Sequence, residues 1–181
     1  MINRILKSTL LALCFLTLSI PTYAFTQSAL KNLEEHGSCS GCDLTDIKLQ
    51  GWDLNGANLY NSNLTGADLT RAKLNNARLD GTTLKEASFY GAELKGAVLN
   101  GANLTGATFD QAKMQEAKLM GAHFERTSFK HANMEKANLS GGTGGMWVYF
   151  TDANVSEAIW INGKKCPKGS SGNECLLLYR E

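Results

Sequence analysis

Cysteine is the residue type whose spacing in this chain first suggests chemistry. Cys39 and Cys42 form a C-x-x-C sequence, and Cys166 and Cys175 form a second local pair. A C-x-x-C sequence is typical of thiol oxidoreductases, and two such pairs together can hold a structural zinc ion. In an oxidising compartment the same cysteines would instead form disulfides. The choice depends on the elements that position the two pairs.

Other residues that commonly carry out catalysis are scattered along the chain. His36, His123 and His131 have no serine, cysteine or metal ligand at the spacing of a triad or a metal site. The acidic residues form no pair that a cleft would bring together, and there is neither a phosphate-binding loop nor a dinucleotide-binding sequence. We therefore predict a non-enzymatic protein without catalytic residues, a cofactor or a metal.

Twenty consecutive five-residue units, from Cys42 to Gly141, organise most of the chain. Leu, Phe or Met occupies every fifth position from Leu44 to Leu139, and the residue two positions before it is almost always small and usually Ala. Residues two apart in an extended segment point to the same side, whereas a period of five forms no stripe on a helix. Half of the units end in Gly, which suits a chain that turns a corner after each unit. The pattern predicts a solenoid of stacked coils.

Larger residues within the repeat indicate how many units make one coil. Four Phe residues at the centres of units share an interval of 20 residues, once an inserted residue in the segment 141–147 is counted: Phe89, Phe109, Phe129 and Phe150. Outward residues alternate in charge at the same interval: Asp53, Lys73, Glu93 and Lys113. Four units per coil would stack the rings in one core column and place opposite charges one strand spacing apart. We predict a square cross-section.

The sequence of the units is as informative as their length. Residues 57–61 read Ala-Asn-Leu-Tyr-Asn, residues 67–71 read Ala-Asp-Leu-Thr-Arg, and residues 102–106 read Ala-Asn-Leu-Thr-Gly. This A-(D/N)-L-X-X run resembles the pentapeptide-repeat proteins over about residues 42–160. The resemblance implies an all-β fold, the right-handed quadrilateral β-helix. The best understood members protect or inhibit DNA gyrase by imitating the DNA duplex, so the resemblance also implies that function as one alternative.

Both ends of the repeat differ from its middle. Residues 25–41 contain three apolar residues on one helical face, which predicts a short helix that caps the first coil. The repeat breaks at the Gly-rich segment 141–147, resumes one residue out of phase and continues to residue 160. Residues 161–181 form a polar tail, which we expect a disulfide to close. The repeat domain thus spans residues 42–160.

The Gly-rich break has two interpretations. Met146, Trp147 and Tyr149 lie beside it. These large residues can pack against the last coil, or they can form an exposed loop that binds a partner. The sequence leaves both interpretations open.

The predicted solenoid distinguishes among the three possible roles of the cysteines: redox catalysis, zinc binding and disulfide formation. Five to six coils at about 4.8 Å each would hold the two pairs roughly 25 Å apart, which is too far for a single zinc ion. Cys42 occupies an inward position, and no basic residue or histidine adjoins the C-x-x-C sequence, which disfavours redox catalysis. We therefore expect structural disulfides at the two ends. Whether Cys39 pairs with Cys42 stays open at this stage.

The first 24 residues have the pattern of a secretory signal peptide. Arg4 and Lys7 lie at the start of an apolar segment that extends to Ile20, and a small-residue cleavage site ends at Ala24. The apolar segment is shorter than the roughly 20 residues that span a bilayer. We expect cleavage near Ala24, no stable membrane span afterwards, and a mature bacterial protein that is periplasmic or secreted.

Two functions therefore remain. One is a rigid protein-protein interaction or structural module, whose partner is an unknown protein or envelope component and which is compatible with a homodimer. The other is a DNA mimic that binds gyrase, which should carry rows of acidic residues. Residues 42–160 contain 13 acidic and 11 basic residues, with Lys73 and Arg78 at outward positions. This charge pattern and the signal peptide favour the first function and predict no nucleic-acid partner.

Overall fold

Residues 20 apart in the repeat lie side by side. The computed structural model describes residues 27–144 and 148–178. In it, Lys48 pairs in parallel with Asp68, which pairs in turn with Ser88. Equivalent parallel bridges connect each coil of the repeat to the next. One coil therefore contains four units, and the square cross-section predicted from the sequence is confirmed.

The inserted residue changes the interval between bridged residues from 20 to 21. Ser128 pairs in parallel with Tyr149, and Asn133 pairs in parallel with Asn154. The chain thus returns to the same columns after the Gly-rich segment. Each side of a coil contributes a single bridged residue. The described part of the chain therefore contains isolated β-bridges rather than strands of several residues.

Backbone hydrogen bonds hold neighbouring coils together on every side. On one side, Leu69 N donates to Ser88 O at 2.8 Å, and Ser88 N donates to Ala67 O at 2.9 Å. Within a unit, Ala72 N donates to Leu69 O at 3.0 Å and closes the corner. The corner residue adds a fourth bond, such as Arg71 N to Tyr90 O at 2.8 Å. Because these four bonds recur from unit to unit, most backbone N–H groups are satisfied without long strands.

A column of aromatic rings runs through the core. The centroids of Phe89, Phe109, Phe129 and Phe150 are successively 4.6, 5.2 and 5.1 Å apart, and their ring planes are nearly parallel. Trp160 packs on Phe150 with its centroid 4.8 Å away. All five side chains are buried. The twenty-residue interval of the sequence therefore places like side chains on like side chains.

The last residue of every unit adopts a left-handed backbone conformation. Gly occupies this corner in ten of the twenty units, for example Gly101 with φ +64°. Other residues occupy it elsewhere, for example Gln111 with φ +60° and Glu116 with φ +62°. Gly adopts this conformation freely, whereas other L-residues pay about 1 to 2 kcal/mol for it. The corner thus explains the Gly preference at this position.

We expect Gly101→Ala to lower the free energy of unfolding by about 1 to 2 kcal/mol. No atom lies within 4 Å of a Cβ built on Gly101, so the loss would come from backbone strain alone. Gln111→Ala is the matched control, because it leaves an Ala at a corner that already carries a side chain. It should change the free energy by less than about 0.5 kcal/mol in urea unfolding. Equal losses in the two variants would contradict the strain argument.

The helix α1 (Gln27–His36) precedes the first coil. Ala29 and Leu33 on this helix are buried in the same cluster as the leucines of the coils. Gly37, with φ +61°, donates its N–H to Leu33 O at 3.0 Å, and the helix ends there.

At the inward position that most units give to Ala, the first coil carries two larger residues. Ile47 and Trp52 stand where most units carry Ala, and both contribute to the core cluster. No coil precedes them, so the volume that would otherwise belong to a neighbouring coil is available to their side chains.

The chain folds back over the last coil at its other end. Asn154 pairs with Ser171, and Ile159 with Lys165, both antiparallel. A second helix, α2 (Gly172–Leu178), follows directly. The sequence predicts only a disulfide-closed tail in this region, and α2 is not predicted.

A capping box starts α2. Ser171 N donates to Glu174 Oε2 at 2.7 Å, and Glu174 N donates to Ser171 Oγ at 3.4 Å. The hydrogen bonds from the backbone and side chain of Ser171 hold the pKa of Glu174 below its usual value. The S-x-x-E sequence that produces this arrangement is readable at residues 171–174.

Two sequence-based expectations lie outside the described residues. They are the signal peptide at residues 1–24 and the positions of Met146 and Trp147. Neither of the two helices in the described ranges is long and apolar enough to cross a membrane.

Candidate interaction site

The solenoid presents four faces to its surroundings. We number them in chain order: face 1 begins with residues 42–46, face 2 with 47–51, face 3 with 52–56 and face 4 with 57–61, and each face continues with the units that stack on it. On each face, the residue before the buried centre of the unit and the residue after it form two outward columns. These columns are the surface on which a partner could be recognised.

Asn and Asp side chains hold the turns of their own units. Asn63 Oδ1 accepts hydrogen bonds from Thr65 N at 3.2 Å and from Thr65 Oγ1 at 2.7 Å. Asn103 and Thr105 repeat this arrangement at 3.1 and 2.7 Å. Such Asx turns explain the (D/N) position of the repeat, for which the sequence predicts only an outward direction. On face 1 these side chains are therefore engaged in local structure.

The histidines lie on different sides of the solenoid. His123, on face 1, has Nδ1 3.0 Å from Thr143 Oγ1 and Nε2 3.6 Å from Glu125. His131, at the corner between faces 2 and 3, has Nδ1 3.7 Å from Asp152. Within residues 27–144 and 148–178, no three His, Cys, Asp or Glu residues are grouped as a metal site requires.

Face 3 carries the column of alternating charge. Lys113 Nζ lies 3.0 Å from Glu93 Oε1, and Asn75 Nδ2 approaches Glu93 Oε2 at 3.5 Å. The hydrogen bond and the charge of Lys113 hold the pKa of Glu93 below its usual value. Parallel bridges join Asp53 to Lys73 and Lys73 to Glu93. The charges on this face therefore largely compensate one another.

The cysteines form one disulfide at each end of the solenoid. Cys39 is bonded to Cys42 before the first coil closes, with a Cα–Cα distance of 5.4 Å. Cys166 is bonded to Cys175, with a Cα–Cα distance of 5.7 Å, and joins the returning segment to α2. Cys42 is half-buried, whereas the other three are buried.

Face 4 has the most apolar outward columns. Tyr60 and Met120 stand in the same column and are 41% and 46% exposed. Val98, Ile159 and Ile161 add half-buried apolar surface. This face is not among the sites predicted from the sequence, although the twenty-residue interval between its outward residues could have identified it.

A charged cluster lies between the apolar residues of face 4. The guanidinium of Arg78 stands over the ring of Tyr60, 5.6 Å from its centroid. Arg78 Nε is 3.5 Å from Asp80 Oδ2. Among the described residues, no group donates a hydrogen bond to that buried oxygen. Face 4 therefore combines exposed apolar groups with an incompletely satisfied carboxylate.

Tyr149 is the described member of the predicted partner-binding loop. It is 43% exposed and bridges to Ser128, so it occupies an outward position on face 2. Lys130 Nζ stands 5.1 Å from the centroid of its ring. Tyr149 thus belongs to a regular column of the solenoid, and its side chain faces outward.

Comparison with known sequences identifies the repeat. The family model described as pentapeptide repeats, in eight copies, matches residues 38–76, 62–101 and 102–141. No curated protein sequence matches the chain.

Solved structures of other proteins are similar to this chain to different degrees. A pentapeptide repeat protein (Rfr23) from the cyanobacterium Cyanothece 51142 is 25% identical, with a TM-score of 0.66 over 67% of this chain and 97% of that one. A pentapeptide repeat protein from the thylakoid lumen of Arabidopsis thaliana is 21% identical, with a TM-score of 0.36 over 79% and 90% of the two chains. QnrB1, a plasmid-mediated fluoroquinolone resistance protein, is 16% identical, with a TM-score of 0.39 over 74% and 84%.

Proposed function

We propose a function for this chain from the premise that it belongs to the family of pentapeptide repeat proteins, which fold as right-handed quadrilateral β-helices. The protein acts as a non-enzymatic, rigid interaction module in the periplasm or outside the cell. Its partner is a protein or another component of the bacterial envelope.

The observation that carries this proposal is the separation of surface from core. The interior consists of Leu, Phe, Met and Ala side chains that are almost completely buried, while outward residues stand in columns one strand spacing apart. Outward side chains can therefore vary without disturbing the core. A rigid lattice of this kind binds a partner with little loss of conformational entropy.

The proposed compartment is supported by two features of the chain. Residues 1–24 have the composition of a signal peptide. All four cysteines that follow this segment are paired in disulfides. Structural disulfides persist in oxidising compartments and are rare in the bacterial cytoplasm.

We further propose that α1 and the returning C-terminal segment are end caps. Ala29 and Leu33 on α1 are buried with the core, and the segment that includes Lys165 and Ser171 pairs with the last coil. Solenoid ends would otherwise expose apolar core and unpaired backbone groups. The caps would keep the module monomeric at its ends and leave its faces for recognition.

The gyrase-binding alternative has weaker support. A DNA mimic should present rows of negative charge. On face 3, Asp53, Lys73, Glu93 and Lys113 alternate in sign within one column. A partner that recognises phosphate-like rows of negative charge would encounter a lysine in this column at every second coil.

Fractionation of cells that express the full chain tests the proposal. We expect a periplasmic or secreted product that begins near Phe25 by mass spectrometry, contains no free thiol and crosslinks to envelope proteins. A cytoplasmic product that retains Met1 and free thiols would contradict it. Inhibition or protection of gyrase supercoiling would then be the next measurement.

A further inference from the structure

We propose that face 4 is a self-association surface, on which a second copy of this chain docks side by side with its coils in register. This inference rests on the proposed interaction function and names one partner for it. The first observation is the exposure of Tyr60 and Met120 in a single outward column. Val98 lies on the same face, two coils beyond Tyr60, and extends the apolar surface between them.

The border of face 4 allows a flat surface to approach. In four successive coils, the corner between faces 4 and 1 is occupied by glycine: Gly81, Gly101, Gly121 and Gly141. In these four coils no side chain projects from this corner, whereas the opposite border of face 4, between faces 3 and 4, carries Glu116 and Lys136. A flat partner can therefore approach face 4 across its border with face 1 without meeting a side chain at that corner.

Two-fold symmetry determines which residues would meet. If the symmetry axis runs parallel to the solenoid, each coil faces the same coil of the second copy. The column before the unit centre then lies opposite the column after it. Arg78 consequently faces Asp80 of the second copy, and the same contact occurs a second time by symmetry.

The other rows of face 4 are compatible with this register. Ile159 faces Ile161, Asn138 faces Ser140, and Lys118 faces Met120, in each case on the second copy. No row places like charges opposite each other. In the reversed orientation centred on Val98, Arg78 would instead face Lys118, which is unfavourable.

The carboxylate of Asp80 also favours this register, because it can accept a further hydrogen bond. Its Oδ2 atom lies 3.5 Å from Arg78 Nε and has no hydrogen-bond donor among the described residues. Arginine carries five N–H donors. The guanidinium of the second copy would supply a donor to this carboxylate after a small rotation of the Asp80 side chain, and its own Arg78 would do the same in return.

Sedimentation equilibrium of the mature, disulfide-intact protein tests the proposal. One face is small for a stable interface, so we expect a monomer–dimer equilibrium at about 10 to 500 µM. Arg78→Glu should weaken the dimer by at least about tenfold, because Glu would face Asp80 of the second copy. The double variant Arg78→Glu/Asp80→Arg should restore it. Lys85→Glu, with the same charge change on face 1, should leave the equilibrium unchanged.

The outcomes separate this inference from the proposed function. A protein that stays monomeric throughout this range, or a dimer that Arg78→Glu leaves intact, would overturn the role of face 4. Failure of the charge exchange to restore dimerisation, with melting temperatures unchanged, would overturn the register. Crosslinking of the monomeric Arg78→Glu variant to envelope proteins would still support the interaction module, whereas a cytoplasmic location would refute the proposed function without affecting the dimer.

Discussion

Phe109→Ala is expected to lower the free energy of unfolding by about 3 to 5 kcal/mol. The Phe109 ring is completely buried and lies between the rings of Phe89 and Phe129, at centroid distances of 4.6 and 5.2 Å. Truncation would remove one ring from the middle of the column and leave a cavity. Neighbouring coils are connected by backbone bonds on all four sides, so they cannot collapse readily into the space.

Urea unfolding, followed by circular dichroism, measures this effect. Lys85→Ala is a suitable control because the side chain is exposed on face 1, and it should change the free energy by less than about 0.5 kcal/mol. Phe109→Leu should recover part of the loss, since Leu fills the same position in most units. Equal free energies of unfolding for Phe109→Ala and Lys85→Ala would mean that the aromatic column does not stabilise the fold.

The number of units in one coil could be predicted from the sequence, because unit centres that carry Phe instead of Leu recur at the interval that separates stacked residues. Phe residues recur every 20 positions, and in the structure their rings are stacked. The same interval allowed Glu93 and Lys113 to be assigned to one column, where their charged atoms are 3.0 Å apart. A solenoid makes such inferences possible because each residue meets the residue one coil away.

The outward positions were less predictable, because spacing does not reveal hydrogen bonding within a unit. Thr105 stands at an outward position of the repeat, yet it is half-buried and donates its hydroxyl hydrogen to Asn103. Thr105→Ala therefore removes a hydrogen bond as well as surface. For the same reason, spacing did not predict the contacts of Arg78 with Tyr60 and Asp80, which involve two different coils.

The C-terminal helix was missed for another reason. Residues 161–181 follow the repeat and carry no period of their own, so their conformation depends on what they pack against. The S-x-x-E sequence at 171–174 was the available local signal. It indicates where a helix can begin, but the antiparallel pairing of Ser171 with Asn154 sets its position on the last coil.

Gly172→Val is expected to displace α2 from the last coil and to destabilise the C-terminal end by at least about 2 kcal/mol. A Cβ built on Gly172 would lie only 2.6 Å from Phe150 O and would overlap the Cβ of the same residue. Backbone and Cβ atoms of a buried residue cannot move aside as the end of a flexible side chain can. The hydrogen bond from Gly172 N to Ala153 O, 2.8 Å long, would be lost with the contact.

Hydrogen exchange locates this loss within the solenoid. In Gly172→Val, amides that bond to the returning segment, such as Val155 N to Ser170 O, should exchange faster, whereas those near Phe109 should remain protected. Asn173→Ala, at an exposed position one residue along α2, is the control and should exchange as the parent does. The disulfide between Cys166 and Cys175 would keep the displaced segment attached, so the effect should grow when that disulfide is reduced. Unchanged protection of the last coil would mean that the coil is stable without α2, and that the C-terminal segment is not a cap.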